Sequence, residues 1–321
     1  YLIFFAPLML AANPAFCYWA ISGMETLFFS ALISYGLFLA TERKTAFVPI
    51  MALAALTRPD GGLIFILIIA YFVFSRTRSL GEIIRYLAIF ALMIIPQLIF
   101  RVSYYHDIVP NSFYAKTGAA VEYLQAGLKY IWLFMKMYGF GGLLIILPLI
   151  MFKSLSNTIR LLLVVGLLYM FYIIFVGGDV LHEHRFFIPL LISLYLSFAA
   201  ALLDIIGKIS FYNDRLAHRL ITAILLVSIA ATLILPQNEM RISRSAMNGL
   251  VTQMRTIAES LNSELGKEYT IACSTIGAIS YFGNSTVIDM IGLTDRTIAK
   301  EPQAEIPGIK SDWKERQYNV P

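Results

Sequence analysis

Long apolar runs with almost no charge dominate this chain, and they restrict the folds that it can adopt. About 20 apolar residues are needed to cross a lipid bilayer as a helix. Runs near that length or somewhat shorter lie at residues 1–16, 24–40, 46–57, 62–75, 84–102, 126–152, 159–176, 186–206 and 219–236. Charged residues make up 14% of the 321 residues, whereas soluble domains average about a quarter. We therefore predict an all-α polytopic membrane domain over residues 1–236 with about nine spans, the shorter ones tilted, re-entrant or broken.

The character of the chain changes after Pro236. Residues 237–265 are polar with helical spacing, and the segment that follows has short apolar runs broken by Gly and Asn-Ser. This pattern predicts a small soluble α/β domain over residues 237–321. The chain begins inside an apolar run without an initiator Met and ends abruptly, so we expect a fragment that is truncated at both ends.

The distribution of Lys and Arg predicts the orientation of the chain in the membrane. If the loop at residues 42–45 lies inside, the loops on that side carry ten Lys and Arg residues, and the opposite short loops carry four to six. Cytoplasmic loops are enriched in these residues. The same bias accounts for the net charge of +5 without a nucleic-acid partner. The α/β domain and four unusual polar segments then share the external face, which suggests one site.

The most unusual polar segment is GGDVLHEHRFFIP at residues 177–189. Polar groups at membrane depth are costly and usually functional. Asp179 could act as a base or orient a sugar hydroxyl, and the planar fork of Arg185 suits a phosphate. His182 and His184 could bind a divalent cation, although two residues apart on a helix they would not share a face. The alternative is a solvated loop at the membrane interface.

The segment LTRPDGG at residues 56–62 places an Arg and an Asp between two apolar runs. Pro59 is suited to the start of a helix, Asp60 to its first turn, and the following glycines to a close approach of another helix. A plain turn between helices has the same properties. Two ionisable side chains exceed what such a turn requires, so we predict a functional role for Arg58 and Asp60.

Two further external segments have both a structural and a functional interpretation. In ISGMET, Ser22 and Glu25 have the spacing of a capping box, but Glu25 could equally hydrogen-bond a polyhydroxylated substrate. In the aromatic segment at residues 104–118, Lys116 could meet a phosphate beside Tyr114, and Asn111 a sugar hydroxyl. Aromatic belts are also normal at membrane interfaces.

The sequence lacks several common catalytic patterns. It contains no Ser-His-Asp arrangement, no nucleotide-phosphate loop and no zinc signature. An external site has no supply of cytosolic nucleotides, so an energised substrate would have to arrive through the membrane. The two cysteines, Cys17 and Cys273, lie far apart and indicate neither a disulfide nor a metal site.

Taken together, the segments SGMET, LTRPDG, NSFYAK, GGDVLHEHRFFIP and IDMIGLTD resemble the GT-C superfamily of polyprenyl-phosphate-sugar glycosyltransferases. They occur in the same order and extend from Ser22 to Asp295. The type that they resemble most is the cell-wall terminal β-arabinofuranosyltransferase, with related uncharacterised bacterial membrane proteins. The resemblance implies a GT-C-like helical bundle in the bacterial inner membrane, with its active face and α/β domain on the external side.

The resemblance also implies a reaction. A sugar on a polyprenyl phosphate enters from the outer leaflet, a hydroxyl of a cell-envelope glycan approaches from water, and cationic groups stabilise the leaving phosphate. In this superfamily the catalytic acid typically lies in a first external loop, which would precede this fragment. The catalytic candidates within the fragment are Asp179 and Asp60. The substrate-binding candidates are Glu25, Arg58, Asn111, Tyr114, Lys116, His182, His184 and Arg185. The cofactor requirement stays open between none and a divalent cation.

Two other functions fit part of this pattern. A transporter or flippase of lipid-linked sugars also has intramembrane charges and broken helices. It would be expected to show internal symmetry, which the sequence lacks, and polar residues at mid-membrane. A non-catalytic envelope scaffold would bind a partner through its external domain.

Overall fold

The computed structural model describes residues 4–116, 121–179, 181, 183–212, 214–266 and 269–300. The helices of the first half are α1 Phe5–Ala12, α2 Pro14–Ala20, α3 Thr26–Thr41, α4 Phe47–Thr57, α5 Asp60–Phe74, α6 Leu80–Tyr105, α7 Asn111–Lys116, α8 Val121–Met137 and α9 Leu143–Ile150. The remaining elements are α10 Asn157–Phe175, α11 Ile188–Tyr212, α12 Asp214–Ile234, α13 Gln237–Leu265, β1 Thr270–Cys273, α14 Ile276–Phe282, β2 Thr286–Asp289 and α15 Arg296–Lys300. Short 3-10 helices lie at Phe140–Gly142 and Arg185–Phe187.

Fewer helices have spanning length than the nine that we predicted. In the described part of the chain, α6, α10, α11 with the preceding 3-10 turn, and α12 with α13 are long and apolar enough to cross a membrane. Helices α8 and α9 would add a fifth span if their pair, bent by 101°, is counted as one. Helices α3, α4 and α5 are apolar but shorter. A chain with this many apolar helices is consistent with a multi-pass membrane protein.

Local signals in the sequence explain why several apolar runs are divided. The Asn13 side chain accepts a hydrogen bond from the Phe16 N–H at 3.0 Å, and Pro14 occupies the first position of α2. Both features begin a new helix, so the run at residues 1–16 forms two helices. Between α8 and α9, Gly141 and Gly142 adopt positive φ angles of 64° and 100°, which interrupt the helix.

The described chain divides into two compact units. The first comprises residues 1–106 and 127–237 and contains most of the apolar helices. Its core is rich in aromatic residues, including Phe134 and Phe187, whose rings stack at 3.6 Å. Helix α5 approaches α4 closely at Gly61, where an added Cβ would lie 2.5 Å from the Ala54 carbonyl carbon. This contact is the close approach that the glycines after Asp60 suggested.

The second unit comprises residues 107–126 and 238–321 and contains the small α/β element. Strands β1 and β2 pair in parallel, with Thr270 opposite Thr286 and Cys273 opposite Asp289. Helix α14 connects them in a βαβ arrangement, so the mixed character predicted after Pro236 is present. Residues 107–126 belong to this unit by their contacts, an association that the linear pattern did not predict.

Candidate functional site

Arg58 is the centre of an ion-pair network in the first unit. It follows α4 in an extended conformation, and its side chain is 11% exposed. Its Nη1 lies 3.2 Å from Glu25 Oε1, and its Nη2 lies 2.8 Å from Asp60 Oδ2. Burial opposes the charge on this guanidinium, but Asp60, Tyr169 and Glu25 outweigh burial and raise the pKa of Arg58 above its ordinary value.

Asp60 is buried, and both of its carboxylate oxygens accept hydrogen bonds. It lies in the first turn of α5, with Pro59 preceding it as the N-cap, as the sequence predicted. Besides Arg58, the hydroxyl of Tyr169 donates to Oδ2 at 2.9 Å and that of Tyr172 to Oδ1 at 3.3 Å. Three donors on one buried carboxylate replace hydrogen bonds that it would otherwise make to water. In this conformation Asp60 is buried and contacts Arg58, Tyr169 and Tyr172.

Glu25 is the accessible carboxylate of this network, with a side chain that is 38% exposed. The predicted capping box is wrong, because α3 begins at Thr26 and Glu25 is its N-cap without a side-chain cap bond. The Ser22 hydroxyl donates to the Trp19 carbonyl at 3.0 Å instead. Glu25 is therefore free of a capping role and faces Arg58.

A strained loop at residues 177–187 forms the second part of the site. Gly177 and Gly178 have positive φ angles of 74° and 71°, and Glu183 and His184 have positive φ angles of 62° and 47°. Such a conformation costs about 1–3 kcal/mol for a non-glycine residue and persists only where the surroundings fix it. Here the Trp19 indole donates to the Glu183 carbonyl at 3.0 Å. This bond anchors the described part of the loop at Glu183 to α2.

This loop positions a bidentate pair between Asp179 and Arg185. The Arg185 Nε lies 2.6 Å from Asp179 Oδ2, and Nη2 lies 3.2 Å from Oδ1. The Leu181 N–H also donates to Oδ1 at 3.3 Å. The third nitrogen of the fork, Nη1, contacts the Met24 Sδ at 3.8 Å, which is a weak acceptor. Arg185 therefore retains donor capacity for an anion, whereas Asp179 is buried and already paired.

The two arginines meet on the ring of Phe186. The Arg58 Cζ lies 5.4 Å from its centroid and the Arg185 Cζ lies 5.8 Å from it. Each guanidinium has a second aromatic neighbour, Phe29 at 5.3 Å from Arg58 and Trp19 at 5.6 Å from Arg185. Five sequence-predicted residues thus lie in one connected cluster, which we call the arginine cluster: Glu25, Arg58, Asp60, Asp179 and Arg185.

Of the two histidines in this loop, the structure describes His184. His184 is buried, and its ring lies 4.9 Å from that of Tyr130, 5.8 Å from Phe134 and 5.9 Å from Tyr138. His182 lies outside the described residues. Among the residues that are described, no group of three or more His, Cys, Asp or Glu could hold a metal ion.

The three candidates from the aromatic segment lie in the second unit. Asn111 begins α7 and is half-buried, and the Tyr114 hydroxyl donates to Asp107 at 2.9 Å. Lys300 of α15 pairs with the same carboxylate and lies over the Tyr114 ring at 4.7 Å. Lys116 ends α7, and its side chain is outside the described part. These contacts connect α7 to α15 within that unit.

Asp107 was not predicted as important, yet it organises this contact. The hydrogen bond from Lys300, opposed by burial and assisted by Tyr114 and Val109, holds the pKa of Asp107 well below its usual range. Its role is consistent with stabilising the second unit.

The IDMIGLTD segment uses its acidic residues for its own backbone. Asp289 is 2% exposed and accepts hydrogen bonds from the Ile291 N–H at 3.0 Å and the Thr294 N–H at 2.9 Å. Asp295 accepts from the Ile298 N–H at 3.0 Å at the start of α15. These bonds fold the loop that connects β2 to α15.

Sequence reasoning missed the aromatic residues that support the arginine cluster. Tyr169 and Tyr172 lie three residues apart in α10, a spacing that places both on one helix face. Their hydroxyls could have been suspected as donors, since buried tyrosines usually have a partner. Phe186 carried no signal, because an apolar side chain beside Arg185 looks like ordinary membrane sequence.

Comparison with known proteins supplies little beyond this geometry. A family model described as a domain of unknown function, DUF8728, matches residues 242–320. No curated protein and no solved structure matches the chain. The matched segment covers part of the second unit and none of the arginine cluster.

Proposed function

We propose that this protein is a membrane glycosyltransferase that moves a sugar from a polyprenyl-phosphate donor to a cell-envelope glycan on the external face of the bacterial inner membrane. The observation that carries the proposal is the convergence of Arg58 and Arg185 on one aromatic ring, beside the exposed carboxylate of Glu25. The motif resemblance supplies the donor class, and arabinofuranose is the sugar that it suggests.

In the proposed step, an acceptor hydroxyl oxygen attacks the anomeric carbon of the sugar. The bond from that carbon to the phosphate oxygen breaks, and its electron pair leaves with the polyprenyl phosphate. The hydroxyl proton passes to a carboxylate.

The arginines suit the leaving phosphate, because charge-assisted hydrogen bonds to an anion strengthen as negative charge develops. Within the described residues, Arg58 Nε has no hydrogen-bond partner. Arg185 Nη1 contacts the weakly accepting sulfur of Met24, at 3.8 Å. A phosphate oxygen would give Arg58 Nε an acceptor and would give Arg185 Nη1 a stronger acceptor than the Met24 sulfur.

The three carboxylates of the arginine cluster differ in their exposure to solvent. The Asp60 and Asp179 side chains are 8% and 6% exposed and are paired to the two arginines, so we assign them to orienting Arg58 and Arg185. Glu25 is the carboxylate of the cluster that a glycan hydroxyl can reach, and an acidic residue of a first external loop is the alternative base that the resemblance implies.

Transfer measured with the full-length protein tests this proposal. Proteoliposomes are supplied with radiolabelled polyprenyl-phosphate sugars and membrane acceptors, and product is separated from donor. Arg58→Ala and Asp179→Asn should abolish transfer, because each breaks one half of the cluster. The control is Arg255→Ala, which removes an exposed ion pair within α13 of the second unit. This variant should retain activity.

The outcomes separate the alternatives. Movement of the donor across the bilayer without transfer would support a flippase. An unchanged transfer rate in both cluster variants would remove the arginine cluster from the active site.

A further inference from the structure

Phe186 is the one described side chain whose ring contacts both guanidinium groups of the arginine cluster. Because the distances of 5.4 and 5.8 Å share the ring centroid, the two Cζ atoms lie no more than about 11 Å apart. Two like charges at this spacing repel each other. Their carboxylate partners and the shared ring offset this repulsion.

The backbone around Phe186 is fixed independently of any substrate. The residue lies in the 3-10 turn Arg185–Phe187, directly after the left-handed residues Glu183 and His184. Its N–H donates to the Tyr130 hydroxyl at 3.3 Å. The neighbouring Phe187 is fully buried. The ring of Phe186 is thus presented to the arginines by a strained and well-anchored turn, which is a typical device of preorganised sites.

A ring face attracts the flat face of a guanidinium and leaves its N–H edges available for hydrogen bonds in the plane. Arg58 contacts Phe29 and Phe186, and Arg185 contacts Trp19 and Phe186. Loss of Phe29 or Trp19 would affect one arginine each. Loss of Phe186 would affect the orientation of both.

We propose that Phe186 is a positioning residue that makes Arg58 and Arg185 bind the phosphate of a lipid-linked phosphate ester as one unit. The inference rests on the proposed function for the class of ligand. It predicts energetic coupling between the two arginines, and this coupling depends on the aromatic ring. A residue that only fills space would support folding without coupling the two arginines.

Binding of polyprenyl phosphate without a sugar, measured with the full-length protein in detergent, provides the test. Arg58→Lys and Arg185→Lys keep the charge but remove the planar fork. In the parent protein, the double variant should lose less affinity than the product of the single losses, with a coupling factor of about 5 or more. In a Phe186→Leu background the factor should fall to about 1, because the arginines then act independently.

Three control variants separate positioning from packing. Of the two arginines, Phe29 contacts Arg58, so Phe29→Leu should preserve the coupling. Phe186→Tyr keeps the ring and should also preserve it. If Phe186→Leu does not fold, Phe186→Met replaces it as a flexible non-aromatic side chain of similar size.

Equal coupling with and without the ring would overturn the inference, as would additive arginine effects or an absence of phosphate-lipid binding in the parent protein. Sugar transfer is measured separately on the same preparations. Coupling without transfer would refute the proposed glycosyltransferase but not the role of Phe186. Transfer without coupling would do the opposite.

Discussion

Glu25→Gln is the substitution that most sharply tests the electrostatics of the arginine cluster. The two arginines are surrounded by three carboxylates, and Glu25 is the one that solvent reaches. Its Oε1 lies 3.2 Å from Arg58 Nη1, where an incoming phosphate oxygen would have to compete. Glutamine keeps the size of the side chain and an acceptor oxygen but removes the charge. We therefore expect the variant to bind polyprenyl phosphate more tightly.

The expected gain in phosphate affinity is small because the Glu25 side chain is partly exposed to solvent. A side chain that is 38% exposed is substantially screened, and ion pairs of this kind contribute about 0.2–1 kcal/mol. Removing the competing charge should then tighten phosphate binding by roughly 1.5- to 5-fold. This gain in affinity should shrink as salt is raised, because added salt screens the interaction between Glu25 and Arg58. Sugar transfer should fall at the same time if Glu25 is the base that takes the proton from the glycan hydroxyl.

Equilibrium binding of polyprenyl phosphate at low and high salt measures both parts of this prediction. Glu259→Gln is the matched control, since Glu259 forms an exposed ion pair with Arg255 in the second unit, at 2.7 Å. That variant should leave binding unchanged. Weaker binding in Glu25→Gln would refute the reasoning, because it would make the carboxylate a direct ligand or a structural support instead of a competitor.

Three further predictions concern stability. Asp60→Asn should lower the unfolding free energy by about 3 kcal/mol, since it leaves the buried Arg58 underpaired; an unchanged melting temperature in detergent would contradict this. Gly178→Ala should destabilise the protein by about 1–3 kcal/mol and weaken phosphate-lipid binding, because its Cβ would lie 2.6 Å from the Tyr130 ring at a φ of 71°. The second unit should be acid-sensitive, because the folded-state pKa of Asp107 is depressed below the ordinary 3.8. Its contribution is present above that pH and is lost as pH falls below it, so the protection of the α7 amides relative to their intrinsic exchange rates should fall at low pH in the parent protein. Asp107→Asn should lack this pH-dependent loss of protection.

The sequence predicted the convergence of several polar residues better than it predicted the number of spans. Short motifs that are separated by apolar runs, such as those around Glu25, Arg58 and Asp179, stand out because charge is costly in such surroundings. Hydropathy alone does not show where a run will break. Asn13 with Pro14, and the glycines between α8 and α9, divide runs that looked continuous.

The sequence did not predict which part of the structure the aromatic segment at residues 104–118 would contact. Tyr114 and Lys116 remain predicted substrate-binding residues, and the structure groups α7 with the second unit. The contact that places it there joins Asp107 to Lys300, almost 200 residues later in the chain. No local pattern contains such a pairing.

Residue types and their spacing were enough to establish an apolar helical chain, a change to mixed α/β structure after Pro236, and a small set of costly ionisable side chains. Those properties are local, since they depend on transfer free energies and helix propensity. Only the tertiary structure decided which carboxylates are buried against arginines and which one stays exposed, and that Phe186 is shared by both guanidinium groups. Those properties depend on packing between segments far apart in sequence, where the identity of a side chain does not determine its neighbours.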